Sequence, residues 1–235
     1  MKIIWICLTF IWAAAALPLE SNKIEDILRN DNPSLIEGII LGLLDDLRDT
    51  IYNGSDELPV LDPLVIDELV LNDDIIPLPG ARLHLKDTTV KNLGTFDVDE
   101  LSVTAWLLVN YVHLSGYIPV IDIDSEYYDL SVSALGYNVF GTGRAGVKVI
   151  NPRLTADLTI QIGIISGVTL THCDVRFTLG AFEPEVTGMF GHEGASDFVN
   201  WFLADLVPEL VKFYEDEIND FLSTIVRDIV TEALP

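Results

Sequence analysis

The C-terminal region carries the strongest hydrophobic pattern of the chain. From Ser196 to Ala233, apolar residues recur three or four positions apart, which predicts one long helix with a single buried face. Ser196 is a suitable N-cap, and Asp197 would lie at the positive end of the helix dipole. At 1.5 Å per residue such a helix would be roughly 50–55 Å long. Its apolar stripe consists of Val199, Phe202, Leu203, Leu206, Leu210, Phe213, Ile218, Phe221, Leu222, Ile225 and Ile229.

A second helical pattern lies near the start of the chain. Residues 23–52 hold apolar side chains at helical spacing, with a break at Asn32-Pro33-Ser34. Because proline is favoured in the first turn of a helix, Pro33 is expected to begin the second of two helical pieces. The turn-rich segment 53–64 then connects the helical region to the strands.

Between the two helical regions, residues 65–190 alternate apolar and polar side chains, which is typical of strands. The alternation is strictest over 154–164, which predicts a long strand with one buried face. It also predicts one strand over 101–114, followed by a turn at Ser115-Gly116.

Two further strands are predicted over 137–149 and 168–179, the second with Thr171, Cys173 and Val175 on its apolar side. These strands exceed the usual five or six residues, and their length agrees with that of the long helix. The pattern therefore predicts an α+β fold in which a long curved antiparallel β-sheet wraps around one long C-terminal α-helix. An N-terminal helical segment completes a single domain over residues 17–235.

Residues 1–16 have the features of a secretory signal peptide. Lys2 supplies the positive start, 3–12 an apolar run, and Ala13–Ala16 a small-residue cleavage site. The run is too short to cross a bilayer, and no other stretch has the length and freedom from charge of a transmembrane helix. We therefore expect a secreted, extracellular protein with no integral membrane segment, glycosylated at Asn53 in its Asn-Gly-Ser sequon.

The charge of the chain excludes one class of partner. With 13 Lys and Arg against 37 Asp and Glu, the formal net charge is −24. Such a surface repels phosphate backbones and anionic lipid headgroups, so nucleic acid is not an expected partner. The simplest role of the charge is to keep a chain that is 49% hydrophobic in solution. Cys7 lies in the signal peptide, so Cys173 has no partner for an internal disulfide.

Three patterns resemble chemical sites, and each favours a structural explanation. Gly141–Gly146 matches GxGxxG, but a strand pattern follows it where a nucleotide site needs a helix. Glycines on a strand face mark curvature or the close approach of another element instead. The acidic residues of 122–129 lack the mid-loop glycine and distal glutamate of a calcium loop, and the histidines show no HExxH spacing. The sequence also has no G-x-S-x-G elbow, so it predicts no enzyme, no cofactor and no metal site.

The remaining candidate site is a set of apolar side chains on the strands and the C-terminal helix. Each of these side chains could simply fill the core. A sheet curled around one helix nevertheless tends to leave a lengthwise apolar gap that takes hydrophobic ligands, and Pro208 could open it by kinking the helix. Tyr111, His113 and Tyr137 are candidate polar anchors for a ligand. The predicted lining residues are Val103, Leu107, Val109, Tyr111, Tyr117, Tyr137, Val139, Ile160, Ile162, Val175, Phe177, Phe202, Leu206 and Phe213.

Several short segments resemble the takeout and juvenile hormone-binding proteins of arthropods. They are the connector Leu58–Leu64 (LPVLDPL), Gly116-Tyr117 and the glycines of the 137–149 strand, in the order helix, strands and terminal helix. The stretches 105–109 (AWLLV) and 173–177 (CDVRF) are more similar to the mite group 7 allergens and their insect relatives. Takeout-type proteins carry a cysteine pair near the mature N-terminus that this chain lacks, which favours the allergen-like branch.

The resemblance implies a fold and a function. Both families share the fold of one half of the bactericidal permeability-increasing protein superfamily, in which a curved sheet wraps a long helix. It also implies carriage or sensing of a lipid-like ligand in extracellular fluid. We therefore expect a secreted carrier or sensor of a small hydrophobic ligand (a fatty acid, terpenoid hormone or lipid) in an elongated apolar cavity. The alternative is a secreted structural or protein-interaction module whose cavity is filled by its own side chains.

Overall fold

A computed structural model of the protein describes residues 33–55, 58–72, 81–134, 137–163 and 167–233. The predicted signal peptide and the first helical piece, 23–32, lie outside the described residues. The helices are α1 (Pro33–Asn53), α2 (Glu193–Phe213) and α3 (Glu215–Ala233), and a short 3₁₀ helix spans Leu93–Thr95. The strands are β1 (Leu64–Asn72), β2 (Arg82–Lys91), β3 (Asp97–Trp106), β4 (Val109–Tyr117), β5 (Val120–Ala134), β6 (Tyr137–Ile150), β7 (Arg153–Gly163), β8 (Gly167–Thr178) and β9 (Ala181–Val186).

The strands form two antiparallel sheets. Sheet A has the order β1-β2-β5-β6-β9 and sheet B the order β3-β4-β7-β8. The predicted α+β class is therefore confirmed, with long antiparallel strands between an N-terminal helix and a helical C-terminus. The second predicted helical piece is helical over the described residues Pro33–Asn53. The prediction of a single sheet is corrected to two.

Successive hairpins alternate between the sheets, so the chain crosses from one sheet to the other after β2, β4, β6 and β8. Three of these crossings are held to one another by backbone hydrogen bonds. The Ile118 N–H donates to the Pro152 carbonyl at 3.1 Å, the Asn151 N–H to Pro119 at 3.0 Å, and the Gly180 N–H to Ile150 at 3.0 Å. The two sheets are thus joined at the end of the strands that lies opposite the hairpin turns.

The predicted helix over 196–233 begins earlier, at Glu193 with His192 and not Ser196 as its N-cap, and it is divided at Tyr214. This residue has φ −100° and ψ +24°, outside the helical range, and its N–H still donates to the Leu210 carbonyl at 3.0 Å. Residues 215–217 are all acidic and form the first turn of α3, where carboxylates interact favourably with the helix dipole. These three carboxylates therefore stabilise the start of a new helix here. In a continuous helix they would lie in its middle, away from the positive end of the dipole. Pro208, the expected kink, lies within α2.

The predicted single strand over 101–114 and the predicted turn at Ser115-Gly116 are both wrong. The chain reverses at Leu107-Leu108, and Ser115 and Gly116 lie within β4. Both leucines have positive φ (47° and 67°), as the two central residues of a type I′ hairpin turn do. Leucine rarely adopts this conformation, so the sequence carries no turn signal there. Because the turn takes up two residues, the even-numbered residues of β4 lie on the same face as the odd-numbered residues of β3. Val112, and not Tyr111, pairs with Val103 and shares its face.

Strand β8 contains a bulge at Thr171. Strand β7 pairs first with His172 and then with Leu170, so Thr171 has no partner residue. The extra residue restores Leu170 to the face that carries Cys173, and both pack into the core. The expected apolar-side position of Thr171 is therefore wrong. Its side chain is exposed, and its hydroxyl donates to the Thr159 carbonyl at 3.1 Å.

Helix α1 ties the two sheets together. Its N-terminal half packs Ile36 and Ile40 against the face of sheet B that carries Val103, which we call the packed face. Its C-terminal half packs Leu47 and Ile51 against sheet A. At the other side of the packed face, α3 buries Leu222 against Cys173 and Val175. The core is therefore divided into clusters, each centred on a helix that lies against a sheet.

Each helix also satisfies backbone groups along the free edge of a sheet. On β3, the Glu37 carboxylate of α1 accepts from the Val103 N–H at 3.1 Å. On β8, the Asn219 side chain of α3 accepts from the Phe177 N–H at 2.9 Å, and Ser223 accepts from the Val175 N–H at 2.8 Å.

The third such edge is β9, where α2 docks through Asn200. The side-chain carbonyl of Asn200 accepts from the Val186 N–H at 2.9 Å, and its amide donates to the Val186 carbonyl at 3.1 Å. One side chain thus occupies both bonding groups that a neighbouring strand would use. Unpaired edge groups invite strand pairing with other chains, and these helix contacts remove that opportunity at three edges.

The edge contacts give the first prediction. Replacing Ser223 by Ala leaves the buried Val175 N–H without an acceptor, so the free energy of unfolding should fall by about 1–2 kcal/mol. Urea unfolding of the full chain measures the change. Thr224→Ala, next to it but exposed, is the control and should change stability by less than about 0.5 kcal/mol. Equal effects of the two substitutions would contradict the capping role.

Candidate ligand-binding surface

The structure brings five of the predicted lining residues to the packed face of sheet B. They are closely packed there against helices α1 and α3 rather than around an open space. Val175 is 1% exposed and Ile162 2% exposed. The five residues are Val103, Ile160, Ile162, Val175 and Phe177.

Four other predicted lining residues of sheet B lie elsewhere. Val109 and Tyr111 are on the face opposite the packed face, because the turn at Leu107 reverses the parity of β4. Leu107 itself is 71% exposed at the tip of that turn. The ring of Tyr117 lies 5.0 Å from the guanidinium carbon of Arg153. The expectation that these residues line one cavity with Val103 is therefore wrong.

The predicted residues of strand β6 belong to the other sheet. Val139 is half-buried and pairs with Val132 of β5, and Tyr137 pairs with Ala134. In the same strand, a Cβ on Gly141 would meet the Met189 sulfur at 2.5 Å, and one on Gly143 would meet the Thr187 hydroxyl at 2.5 Å. Gly141 and Gly143, two of the three glycines of the GxGxxG match, therefore permit the segment before α2 to cross the sheet closely.

Helix α2 sits on β9 through polar residues. The buried Ser196 hydroxyl accepts from the Met189 N–H at 3.0 Å, and Asn200, one turn further on, pairs with Val186 as described above. Because this polar contact sets the rotation of α2, part of its apolar stripe lies beside the sheet and not on it. Phe202 is 45% exposed and Phe213 76% exposed, while Leu206 is half-buried.

Three aromatic residues of α2 form an exposed patch, which we call the α2 aromatic patch. Phe198 is 60% and Trp201 63% exposed, and the Phe198 ring lies 6.0 Å from Trp201 and 6.2 Å from Phe202. Further along α2, Leu210 and Phe213 line an open depression. Of these three residues, the apolar stripe predicted from the sequence contains only Phe202. The available signal was the position of Phe198, three residues before Trp201 and four before Phe202.

Asn110 is a polar residue that the sequence prediction missed. Its side chain is fully buried, and neither its amide nitrogen nor its carbonyl oxygen has a hydrogen-bond partner among the described residues. In the register of sheet B it lies between Ala105 and Ile160, on the packed face. An unpaired buried polar group costs about 1–3 kcal/mol, so such groups are uncommon in folded proteins.

A row of charged side chains crosses the opposite face of sheet B. The Nδ1 of His113 lies 2.6 Å from an Asp157 oxygen, and its Nε2 lies 3.6 Å from Glu100. Arg176 pairs with the second oxygen of Asp157. The hydrogen bond to Asp157 raises the pKa of His113 above 6.5, and the same bond lowers the pKa of Asp157 below 3.8. His113 is thus held by charged neighbours on this face and does not act as an anchor inside a cavity.

This row gives the second prediction, on pH. Because the folded-state pKa of His113 is raised, its contribution to stability is complete below pH 6.5 and is lost as the pH rises through the folded-state value. Asp157 has a lowered pKa, so its contribution is complete above pH 3.8 and is lost as the pH falls through its folded-state value. Histidine titrates within the range of pH 6 to 9, so urea unfolding is measured over that range. The free energy of unfolding of the wild type should fall as the pH rises, and this fall should be nearly lost in His113→Gln.

His172→Gln, at an exposed position of β8, is the matched control and should keep the fall. A fall of the same size in the His113 variant would assign the pH dependence to other groups.

Two further features concern partners and modification. Within the described ranges, no group of three or more His, Cys, Asp or Glu side chains could hold a metal ion, and no helix is long and apolar enough to cross a membrane. Asn53 is exposed at the end of α1, a position that a glycan could occupy. Its glycosylation stays a prediction.

The family model for haemolymph juvenile hormone binding protein (JHBP) matches residues 5–235. Among solved structures, the chain is similar to Takeout 1 of Epiphyas postvittana, with a TM-score of 0.53 and 16% identity over 87% of this chain and 92% of that one. A lipopolysaccharide binding protein matches with a TM-score of 0.36 and 13% identity, over 84% of this chain and 37% of that chain. No curated protein matches the sequence. The predicted resemblance to takeout and juvenile hormone-binding proteins is confirmed, while the closer likeness to mite group 7 allergens stays a prediction.

Proposed function

Since the chain belongs to the haemolymph juvenile hormone binding protein family, we propose that it is a secreted carrier or sensor of a small hydrophobic ligand. The ligand is a fatty acid, a terpenoid or another lipid, and the protein binds it without catalysing a reaction. Secretion rests on the signal-like residues 1–16. The takeout-like fold supports the proposal by supplying long strands beside a long helical segment.

The observation that carries the proposal is the uncovered apolar side of α2. Phe198, Trp201, Phe202 and Phe213 are between 45% and 76% exposed in a protein whose net charge is −24. Large exposed apolar patches mark binding sites. A ligand lying along α2 would remove this surface from water, at about 25 cal/mol per Å². A few hundred Å², after ordering costs, is enough for micromolar affinity, or roughly −8 kcal/mol.

A structural or protein-interaction role is the second candidate, and one observation favours it. The predicted lining residues on the packed face of sheet B are already covered by α1 and α3, with Val175 and Ile162 almost fully buried. On this reading the exposed patch of α2 would contact another protein, since aromatic residues are enriched at the centres of protein interfaces.

The third prediction separates these two roles. Native mass spectrometry of protein secreted from eukaryotic cells, with solvent extraction, should identify a bound apolar molecule. The purified protein, once stripped, should also take up the fluorescent probe N-phenyl-1-naphthylamine with about micromolar affinity. A protein that carries nothing and takes up neither this probe nor a panel of fatty acids and terpenoids would support the protein-interaction role instead.

The fourth prediction places the ligand on α2. Phe202→Ala and Phe213→Ala should each weaken probe binding about tenfold, because each removes a phenyl ring that the ligand would cover. Tyr127→Ala, at an exposed aromatic residue of β5, is the matched control and should leave the affinity unchanged. Fluorescence titration measures all three affinities. Equal losses in the control would show that binding does not depend on α2.

A further inference from the structure

The turn of the β3–β4 hairpin exposes two large apolar side chains at one end of sheet B. Leu107 is 71% exposed and Trp106 is 66% exposed. Leu107 and Leu108 hold φ angles of 47° and 67°, a conformation that asparagine and glycine adopt more readily than leucine. Leu108 packs against the core cluster of α1 and sheet B, whereas Leu107 remains in water. Because a disfavoured backbone is kept at a turn whose apex is apolar and exposed, the turn is typical of a surface that a partner covers.

The strands around this turn carry no charged side chain at the same end of the sheet. The sequence holds no Asp, Glu, Lys or Arg in 101–112 or in 158–171, which contain the turn-side parts of β3, β4, β7 and β8. The end of β7 lies directly beside the turn, because the Ile162 N–H donates to the Leu108 carbonyl at 2.8 Å. The four strands are therefore neutral at this end, in a chain that has 37 Asp and Glu residues.

Neutral hydrogen-bonding groups lie next to the turn, on the face of sheet B that carries Trp106. Thr104 pairs with Tyr111, and Tyr111 pairs in turn with Thr159 on β7. Gln161 lies closer to the turn and is exposed. Tryptophan and tyrosine are enriched at the level of a lipid layer where hydrocarbon gives way to hydrated headgroups. An apolar apex followed by tyrosine, hydroxyl and amide groups matches this order of environments.

Charged groups on the neighbouring elements limit how deep the turn can enter a lipid layer. Glu100 is the first carboxylate of β3 reached from the turn, and it lies roughly 23 Å from Leu107 along an extended strand. The Glu37 carboxylate of α1 accepts from the Val103 N–H at 3.1 Å, and Val103 lies roughly 13 Å from Leu107 along the strand. Amphipathic segments sink about 5–10 Å into the headgroup region of a bilayer. Insertion to that depth covers Trp106 and Leu107 while both carboxylates stay in water.

The charge of the chain selects the kind of lipid layer. With a net charge of −24, the protein is repelled by a layer of anionic lipids. The strand segments around the turn hold no Lys or Arg that could contact lipid phosphates. A zwitterionic phospholipid layer has no net charge, so it accepts a neutral apolar turn without repelling the acidic remainder of the protein.

We propose that the β3–β4 turn docks the protein reversibly onto a zwitterionic phospholipid layer, with Trp106 and Leu107 as the inserted side chains. The docking uses residues other than the α2 aromatic patch, and the inference does not depend on the proposed carrier function. Two inserted side chains remove a limited apolar area from water, so binding is weak, with half of the protein bound at about millimolar lipid.

Sedimentation of the full secreted chain with dioleoyl phosphatidylcholine vesicles measures the docking. Leu107→Asn removes the apolar apex and introduces a residue that favours the turn, so the variant should fold and bind the vesicles about tenfold more weakly. Val65→Asn is the matched control, because Val65 is 61% exposed and lies at the end of β1 away from its hairpin turn. It should leave vesicle binding unchanged. Adding phosphatidylglycerol to the vesicles should weaken the binding of the wild type.

Tryptophan fluorescence locates the inserted residue without altering the turn. Beyond residues 1–16, the chain has two tryptophans, Trp106 and Trp201. Trp201→Phe leaves Trp106 as the reporter, and its emission should shift to the blue and be quenched by brominated phosphatidylcholine. Trp106→Phe leaves Trp201 of α2 as the reporter, and its emission should be unaffected by the same vesicles.

Failure to bind phosphatidylcholine, equal binding by Leu107→Asn, or tighter binding as phosphatidylglycerol is added would overturn the inference. Quenching of Trp201 instead of Trp106 would assign the lipid contact to α2 and overturn it as well. A loss of self-association in Leu107→Asn without a loss of vesicle binding would assign the turn to contact between copies of the chain, with the same consequence. Uptake of N-phenyl-1-naphthylamine without vesicles tests the carrier function separately, and Leu107→Asn should take up this probe as the wild type does.

Discussion

The free edges of the two sheets are the constraint on which the arrangement of the helices depends. Strands β3, β8 and β9 each leave backbone groups unpaired, and each is met by a helix whose polar side chains lie along it. A hydrogen bond to an edge N–H has a fixed length and direction, so it sets the position and rotation of the helix more narrowly than apolar contact does. On α3 the polar and apolar demands agree, because Ser223 and Leu222 are adjacent and both reach β8. On α2 they do not agree, and the apolar stripe is left partly uncovered.

The regular parts of the fold are encoded in patterns that the sequence shows directly. The helical spacing after Pro33 marks α1, the alternation over 154–164 marks β7, and Gly141 and Gly143 of β6 permit the close approach of another segment. The irregular parts depend on tertiary structure. Leu107-Leu108 adopts a turn conformation that leucine disfavours, and the bulge at Thr171 changes strand parity with no signal of its own. A shift of one residue moves every later side chain to the other face.

The candidate site, like the fold, was predictable from the sequence where the strands are regular and not where the chain turns unexpectedly. Alternation identified Ile160, Ile162 and Val175 as inward-facing, and the structure confirms that they lie on one face while showing that helices cover them. The unseen turn at Leu107-Leu108 moved Tyr111 to the opposite face and brought Asn110 into the core. A polar residue in an apolar segment reads as exposed unless the register is known. For this reason the sequence analysis did not identify Asn110 as a buried residue.

The alternation of hairpins between the sheets has a consequence for how the protein is made. Hairpins β1–β2 and β3–β4 each pair residues close in sequence, so they can form soon after synthesis, but sheet A gains its last strand only at β9. The helices that cover β8 and β9 follow later still. During translation, strands β8 and β9 therefore lack their helix contacts until α2 and α3 have been made. A chain that stops before α2 would keep those edges open to strands of its neighbours, so premature termination favours aggregation over a merely shortened protein.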